Sequence, residues 1–251
     1  MAITIKSARE IELMTEAGRI LALVHEKMEK AIRPGVSTLE INRIGEEAIR
    51  SYGCTPSFLN YNGYPASVCI SINDEVVHGI PTANRILKEG DIVGLDAGVI
   101  YKGYHSDAAR THGVGKITPD AERLIRVTEE CFFEGIKFAK EGNYLGEVSA
   151  AIYAHARKHG YGVVRDLCGH GIGNRLHESP EIPNYDTGRR GVKLRKGMTL
   201  AIEPMINMGT WQIDFLDDGW TTLTRDGSLS AHYENTVLIT EGEPVLLTLK
   251  R

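Results

Sequence analysis

Cysteine is scarce in this chain, and the four present (Cys54, Cys69, Cys131 and Cys168) are scattered, with no CxxC pair among them. That excludes a zinc ribbon and a disulfide framework, and it makes a reducing, cytoplasmic setting the default expectation. Excess positive charge is also missing. Lys and Arg total 29 against 33 Asp and Glu, a formal net charge of −4, which argues against a nucleic-acid or membrane-surface binder working through bulk charge. No apolar run approaches the length needed to span a bilayer, no segment is of low complexity, and no signal peptide is expected, because Met1-Ala-Ile-Thr-Ile-Lys6 runs straight into a helix start. What remains is an ordinary globular composition, 42% hydrophobic and 25% charged over 251 residues, with ample material for a core.

The elements follow from local signals. Ser7-Ala-Arg-Glu10 reads as a capping box, and Ile11, Met14, Gly18, Leu21, Val24 and Met28 follow at helical spacing until Pro34-Gly35. Ser37-Thr-Leu-Glu40 reads as a second capping box opening a helix that stops at Gly53. A turn-rich aromatic loop from Phe58 to Pro65 and a strand over Ser67–Ile72 come next, then a long hairpin over Ile92–His112 that turns at Lys102-Gly103. Thr118-Pro119-Asp120 opens a third helix, and a fourth runs from about Leu145 to Gly160. The loop Gly169-His-Gly-Ile-Gly173, a strand over Met198–Pro204 and a last pair of strands around Trp220 and Glu234 complete the chain.

This order repeats, and residues repeat with it at an offset of 107. Asp96 aligns with Glu203, Gly90 with Gly197, Gly35 with Gly142, Glu40 with Glu147, Arg50 with Arg157 and Gly53 with Gly160. An internal duplication is expected, forming one domain over 1–251 with repeats of about 7–115 and 116–249. A groove on the axis between the repeats is a natural place for a site.

The chemistry converges on that groove. Asp96 and Asp107 lie on the two arms of the hairpin, where Asp is disfavoured, and close carboxylates raise one another's pKa unless a cation intervenes. A lone hairpin with two aspartates would read as a solvated face. Here the repeat adds Glu203, the return strand adds Glu234, and the glycine-rich loop adds His170. Four carboxylates in one cleft are too costly to desolvate unless cations neutralise them. Two divalent ions balance that charge, and oxygen-rich ligation with one imidazole suits Mn²⁺, Fe²⁺ or Co²⁺ before Zn²⁺ or Ni²⁺.

Taken in order, His78-Gly-Ile-Pro81, Asp96, Asp107, Gly169-His-Gly-Ile-Gly173, His177-Glu178, Ile202-Glu-Pro204 and Ser230-Ala-His-Tyr-Glu234 resemble the type I methionine aminopeptidases of the M24 metallopeptidases, in the short form without an N-terminal zinc-binding extension. The resemblance covers nearly the whole chain. It implies the pita-bread α/β fold of the creatinase/aminopeptidase group, with pseudo-twofold symmetry, and an enzyme that removes the initiator methionine from nascent chains when the second residue is small. It further implies that Asp107 and Glu234 bridge two metal ions, that Asp96 chelates one and that His170 and Glu203 bind the other. Glu203 would also accept a proton from the attacking water and pass it to the leaving amine. His78 and His177 would contact the scissile peptide and its developing oxyanion.

A methionine pocket of Phe58, Tyr61, Tyr64, Cys69, Leu176 and Trp220 is implied as well, as is a structural Na⁺ or K⁺ near Asn73 and Ser230. Phe58 and Leu176 depart from the pattern of some members, which have Cys and Phe there. His232, in step with Glu234 on a strand, is expected to face the same way. His105, His112, His155 and His159 lack motif context and read as surface or helix residues. Two alternatives stay open at this point: a prolidase or aminopeptidase P relative, which usually carries an extra N-terminal domain, and an interaction protein that kept the shell and lost its metals. The expected partner is the N-terminus of a nascent polypeptide, with a transient ribosome contact, no nucleic acid, no membrane, and a monomeric state.

Overall fold

The structure is a computed structural model that describes residues 3–249; residues 1, 2, 250 and 251 of the expected 1–251 domain lie outside the described residues. The N-terminal half contains α1 (Ala8–Glu29), α2 (Thr38–Ser51), β1 (Thr55–Pro56), β2 (Val68–Ile72), β3 (Glu75–Val77), β4 (Ile92–Tyr101) and β5 (Tyr104–Gly113). The C-terminal half contains α3 (Pro119–Ile136), α4 (Leu145–Lys158), β6 (Gly162–Val163), β7 (Gly169–Gly171), β8 (Glu178–Ile182), β9 (Thr199–Ile202) and β10 (Met205–Asn207). It continues through β11 (Ile213–Phe215), β12 (Thr222–Thr224), β13 (Ser230–His232), β14 (Asn235–Leu238) and β15 (Val245–Leu246).

The helix starts obey their signals. Ser7 and Glu10 form the reciprocal capping box expected, and Thr118 caps α3 with Pro119 in its first turn. The second box is only half made. Ser37 accepts from the Glu40 amide, but the Glu40 carboxylate turns outward to Arg43, because an exposed ion pair at i, i+3 competes for it. The hairpin turns on a two-residue loop in which Lys102 and Gly103 both have positive φ, 48° and 85°, the conformation that matches the twist of the flanking strands.

Positions 107 residues apart are structurally equivalent. α2 maps onto α4 and β1 onto β6 at both ends, α1 and α3 end in step at Glu29 and Ile136, and β4 and β9 begin in step at Ile92 and Thr199. The isolated bridge Ser37↔Ile86 recurs as Tyr144↔Lys193, and Gly35/Gly142, Gly53/Gly160 and Gly90/Gly197 all share a positive φ.

Each half has its own core. In the first, Leu21, Val24 and Met28 of α1 and Ile41 and Ile49 of α2 pack against Val68, Ile70, Val93 and Leu95. In the second, Leu124, Val127 and Phe132 of α3 and Val148 and Ile152 of α4 pack against Leu200, Ile202 and Ile206. The sheets β1-β4-β2, with β5 beside β4, and β15-β14-β9-β7-β8 belong one to each half. They meet where β5 lies against the start of β14. There the Asp107 amide donates to Thr236 Oγ1 (2.8 Å), that hydroxyl donates to the Asp107 carbonyl (2.9 Å), and the Glu234 amide donates to the Ala109 carbonyl (3.0 Å). A second seam pairs β3 with β12. No helix among the described residues is long and apolar enough to cross a membrane.

Candidate metal centre and active site

The seam between the halves opens into a cavity lined by Asp96, Asp107, His170, Glu203 and Glu234 at one end, His78 and His177 at its sides, and Phe58, Tyr61, Tyr64, Cys69, Leu176 and Trp220 at the other. Every residue expected in the metal cluster, the peptide contacts and the methionine pocket is therefore in one place. Asn62, in the turn after Tyr61, lines the cavity too and was not foreseen. An Asn-Gly dipeptide announces a turn but not what the turn faces.

The ligand set is assembled from strands and the breaks beside them. In the β4–β5 register Asp96 pairs with Ala109 and Gly98 with Asp107. The two carboxylates are thus diagonal neighbours on one face, not directly opposed, which leaves room between them for an ion. Glu203 lies one residue past the end of β9, and Glu234 sits in the break between β13 and β14, so neither is inside a strand as expected. His170 is central in β7, where the flanking glycines are required: a Cβ on Gly169 would meet the Ala201 carbonyl at 2.4 Å, and one on Gly171 the Ser179 carbonyl at 2.2 Å. His170 Nδ1 lies 2.9 Å from the Gly171 carbonyl. That bond places the proton on Nδ1 and leaves Nε2, 3.6 Å from Glu203 and 3.9 Å from Asp107, with its lone pair free to ligate an ion.

The electrostatics favour either protonation or a cation. Burial raises the pKa of Asp96 to about 7 and that of Glu203 to about 8. Burial and the neighbouring carboxylates hold Asp107 and Glu234 well above the ordinary range. Asp96 Oδ1, Asp107 Oδ1 and Glu234 Oε1 are buried without a hydrogen-bond partner, a costly condition for groups of this kind. Ligand atoms of Asp107, His170 and Glu234 all lie within 4.8 Å of one another. The fixed positive charge at hand is Arg110, whose guanidinium stacks on the Tyr233 ring (4.3 Å) and bonds to the Glu234 carbonyl rather than to the carboxylates. Orphaned oxygens, raised pKa values and a free imidazole nitrogen together fit a site for divalent ions.

The substrate side is also defined. His78 holds a left-handed backbone, φ 60°, unusual for a residue with a side chain. A Cβ on the following Gly79 would strike the Ile70 carbonyl at 2.2 Å, so the His78-Gly pair is locked against β2. Burial lowers His78 to about 4, and desolvation by the cavity walls lowers His177, so both imidazoles are neutral near pH 7. Tyr61 hydroxyl lies 2.7 Å from His177 Nδ1, and the His177 ring lies against His170 with centroids 4.2 Å apart. Trp220 meets Tyr64 edge to face at 5.1 Å, and the Tyr64 hydroxyl donates to the Gly79 carbonyl at 3.0 Å, anchoring the aromatic wall to the His78 loop.

The remaining expectations divide. His232 lies beside the cavity acids, with Nε2 3.6 Å from Glu203, although the strand breaks between it and Glu234. His105 and His112 are not surface residues: each is half-buried, His105 bonding Ser57 Oγ (3.0 Å) and His112 lying 3.7 Å from Glu29. They sit on opposite faces of β5, His112 beside Glu29 at the end of α1 and His105 beside Ser57, and coverage cannot be seen from a strand's own sequence. His155 and His159 do lie on α4 or at its cap, half-buried beside Glu130. Asn73 and Ser230 are brought together outside the cavity, with the Ser230 amide donating to the Asn73 carbonyl (2.9 Å).

Comparison with known proteins gives one answer. Residues 12–241 match the model of metallopeptidase family M24. The chain is 52% identical over 247 residues to the methionine aminopeptidase of Clostridium perfringens, covering 98% of this chain and 99% of that one. The crystal structure of the methionine aminopeptidase from Thermotoga maritima superposes with a TM-score of 0.97 at 44% identity over 99% of this chain and all of that one. The prolidase from Pyrococcus furiosus shares the fold at a TM-score of 0.74 and 25% identity, with this chain covering 66% of its length.

Proposed function

The chain belongs to the methionine aminopeptidases of metallopeptidase family M24 and has their pita-bread fold; from that premise we propose that it removes the initiator methionine from nascent chains with a small second residue, as a dinuclear-metal hydrolase. The observation carrying this is that the five candidate ligands, two neutral histidines and an aromatic pocket line one cavity. We propose that it works as one catalytic domain of two repeats, 7–115 and 116–249, in the cytoplasm, as a monomer meeting its substrate through transient ribosome contact.

Asp96, Asp107, His170, Glu203 and Glu234 would hold two divalent ions, with Co²⁺, Mn²⁺ or Fe²⁺ favoured by the oxygen-rich set. When bound, these ions supply charge neutralisation, an acidified water and polarisation of the scissile carbonyl. Asp107 and Glu234 would serve both ions, and Asp96 and His170 would each complete one side. Glu203 has its two carboxylate oxygens 3.6 Å from His170 and from His232, and it would take a proton from the attacking water and return it to the leaving amine. His78 and His177, being neutral, act as hydrogen-bond donors toward the peptide oxygen, where negative charge develops. The Tyr61 hydroxyl holds His177 by its Nδ1, directing its other nitrogen inward. The methionine side chain, unbranched and polarizable, enters between Tyr61, Tyr64 and Trp220, with Cys69, Phe58 and Leu176 closing the slot. The Asn73 carbonyl and Ser230 are proposed to hold a structural Na⁺ or K⁺ near this seam.

The test is release of free amino acid by Mn²⁺-loaded protein from Met-Ala-Ser, Leu-Ala-Ser and Ala-Pro-Ala. Methionine release alone supports the reading. Alanine release from Ala-Pro-Ala would place the activity with the X-Pro aminopeptidases instead, and release from none would sink it.

A further inference from the structure

A second group of ligand-type side chains lies away from the cavity, on the outer surface of the C-terminal half. His155 in the last turn of α4 and His159 at its C-cap are four residues apart, on one face of the helix. Glu130 projects beside them from α3. Ligand atoms of Glu130, His155 and His159 all lie within 4.8 Å of one another, each residue half-buried. The two imidazole rings have centroids 4.8 Å apart, and His155 Nε2 is 3.0 Å from Glu130 Oε2. We propose that this cluster is an independent binding site for a borderline transition cation of the Zn²⁺ class.

Two imidazoles and one carboxylate are the donor set such ions favour, and an i, i+4 pair on a helix presents both rings to one ion. The site differs in kind from the cavity, where four carboxylates surround a single ligating imidazole. Its electrostatics permit binding. His159 is lowered by desolvation and by the nearby His155 and Arg123, which leaves it neutral, as ligation requires. Arg123 Nη2 stands 3.5 Å from His159 Nδ1 and 3.4 Å from the His159 carbonyl. Among the described residues nothing hydrogen-bonds His159 Nε2, so that nitrogen remains for the ion. Arg126, 3.5 Å from Glu130, offsets the carboxylate charge without occupying the oxygen that faces His155. An ion held here would tie the end of α4 to the middle of α3, two helices packed over the core of the second half.

The experiment is equilibrium dialysis of the Mn²⁺-loaded enzyme against micromolar Zn²⁺, comparing the wild type with a His155→Ala, His159→Ala double variant and with Glu130→Gln. Exchange of ions in the cavity is common to all three proteins, so the difference in bound Zn²⁺ reports this cluster. The wild type should hold one more Zn²⁺ per chain than the double variant, and Glu130→Gln should bind the extra ion at least 10-fold more weakly. Zn²⁺ should raise the melting temperature of the wild type more than that of the double variant, and the Mn²⁺-supported kcat/KM should be alike in all three. Equal Zn²⁺ content in the wild type and both variants would overturn the proposal. So would an extra ion that survives in the double variant.

Discussion

Withdrawing the metal should make the stability of this protein fall with rising pH, and by an amount the cavity sets. In the metal-free protein the folded-state pKa of Asp96 is about 7 against an ordinary 3.8, and that of Glu203 about 8 against 4.5. A folded pKa raised above the unfolded one means that the folded chain binds the extra proton. The contribution is fully present below about pH 4 and is lost as pH climbs through 7 to 8. Each tenfold in proton affinity is worth about 1.4 kcal/mol, so either group alone accounts for roughly 4–5 kcal/mol across that window. Asp107 and Glu234 shift the same way, and the four interact, so the total is not their sum. Even one such loss is a large part of the ~5–15 kcal/mol that holds a domain folded. The assay is the urea midpoint by circular dichroism at pH 5, 6, 7 and 8, with and without chelator. The metal-free midpoint should drop steeply from pH 5 to 8 while the Mn²⁺-loaded midpoint stays nearly level. Asp107→Asn removes one buried charge, so its metal-free form should be more stable at pH 8 than the wild type although its activity is abolished. A metal-free midpoint flat between pH 5 and 8 would refute the reasoning, as would a drop of equal size in the loaded protein.

Three further outcomes follow from the geometry. Glu203→Gln should lower kcat by at least 100-fold with little rise in KM; steady-state kinetics on Met-Ala-Ser that gave an unchanged kcat would assign Glu203 to binding. Trp220→Ala should raise the kcat/KM of Leu-Ala-Ser relative to Met-Ala-Ser at unchanged metal content, since Trp220 walls the slot and ligates nothing; an unaltered ratio would make it a packing residue. Thr236→Val removes the hydroxyl that bonds both the Asp107 amide and its carbonyl, so it should cost about 1–3 kcal/mol in urea unfolding and weaken metal retention on dialysis, and a variant matching the wild type in both would show that Asp107 is held by other means.

The parts of this molecule that were legible in the sequence are those written in short-range chemistry. Caps at Ser7 and Thr118, the Lys102-Gly103 turn and the 107-residue repeat are local or periodic signals, and the helices they announce begin where expected, although α1 ends at Glu29, before the Pro34-Gly35 stop. The cavity residues were legible because their motifs sit at loops and strand ends in a distinctive order. What the sequence withheld depends on contacts between distant segments. The Glu40 carboxylate had two local partners of similar strength, and only the folded surface selects Arg43. The bonds of Thr236 to Asp107 link residues in different halves and carry no local mark. The burial of His105 and His112 depends on what covers β5. The neighbourhood of Glu130 with His155 and His159 needed two helices to pack before it existed.

The central claim is that Asp96, Asp107, His170, Glu203 and Glu234 hold a pair of divalent ions. The most direct measurement is an anomalous difference map from crystals grown with Mn²⁺. Two peaks should appear in the cavity, close enough for Asp107 and Glu234 each to contact both, with Asp96 on one and His170 and Glu203 on the other. A cavity with no peak, or with a single ion that leaves Asp96 or His170 free at saturating Mn²⁺, would contradict the account.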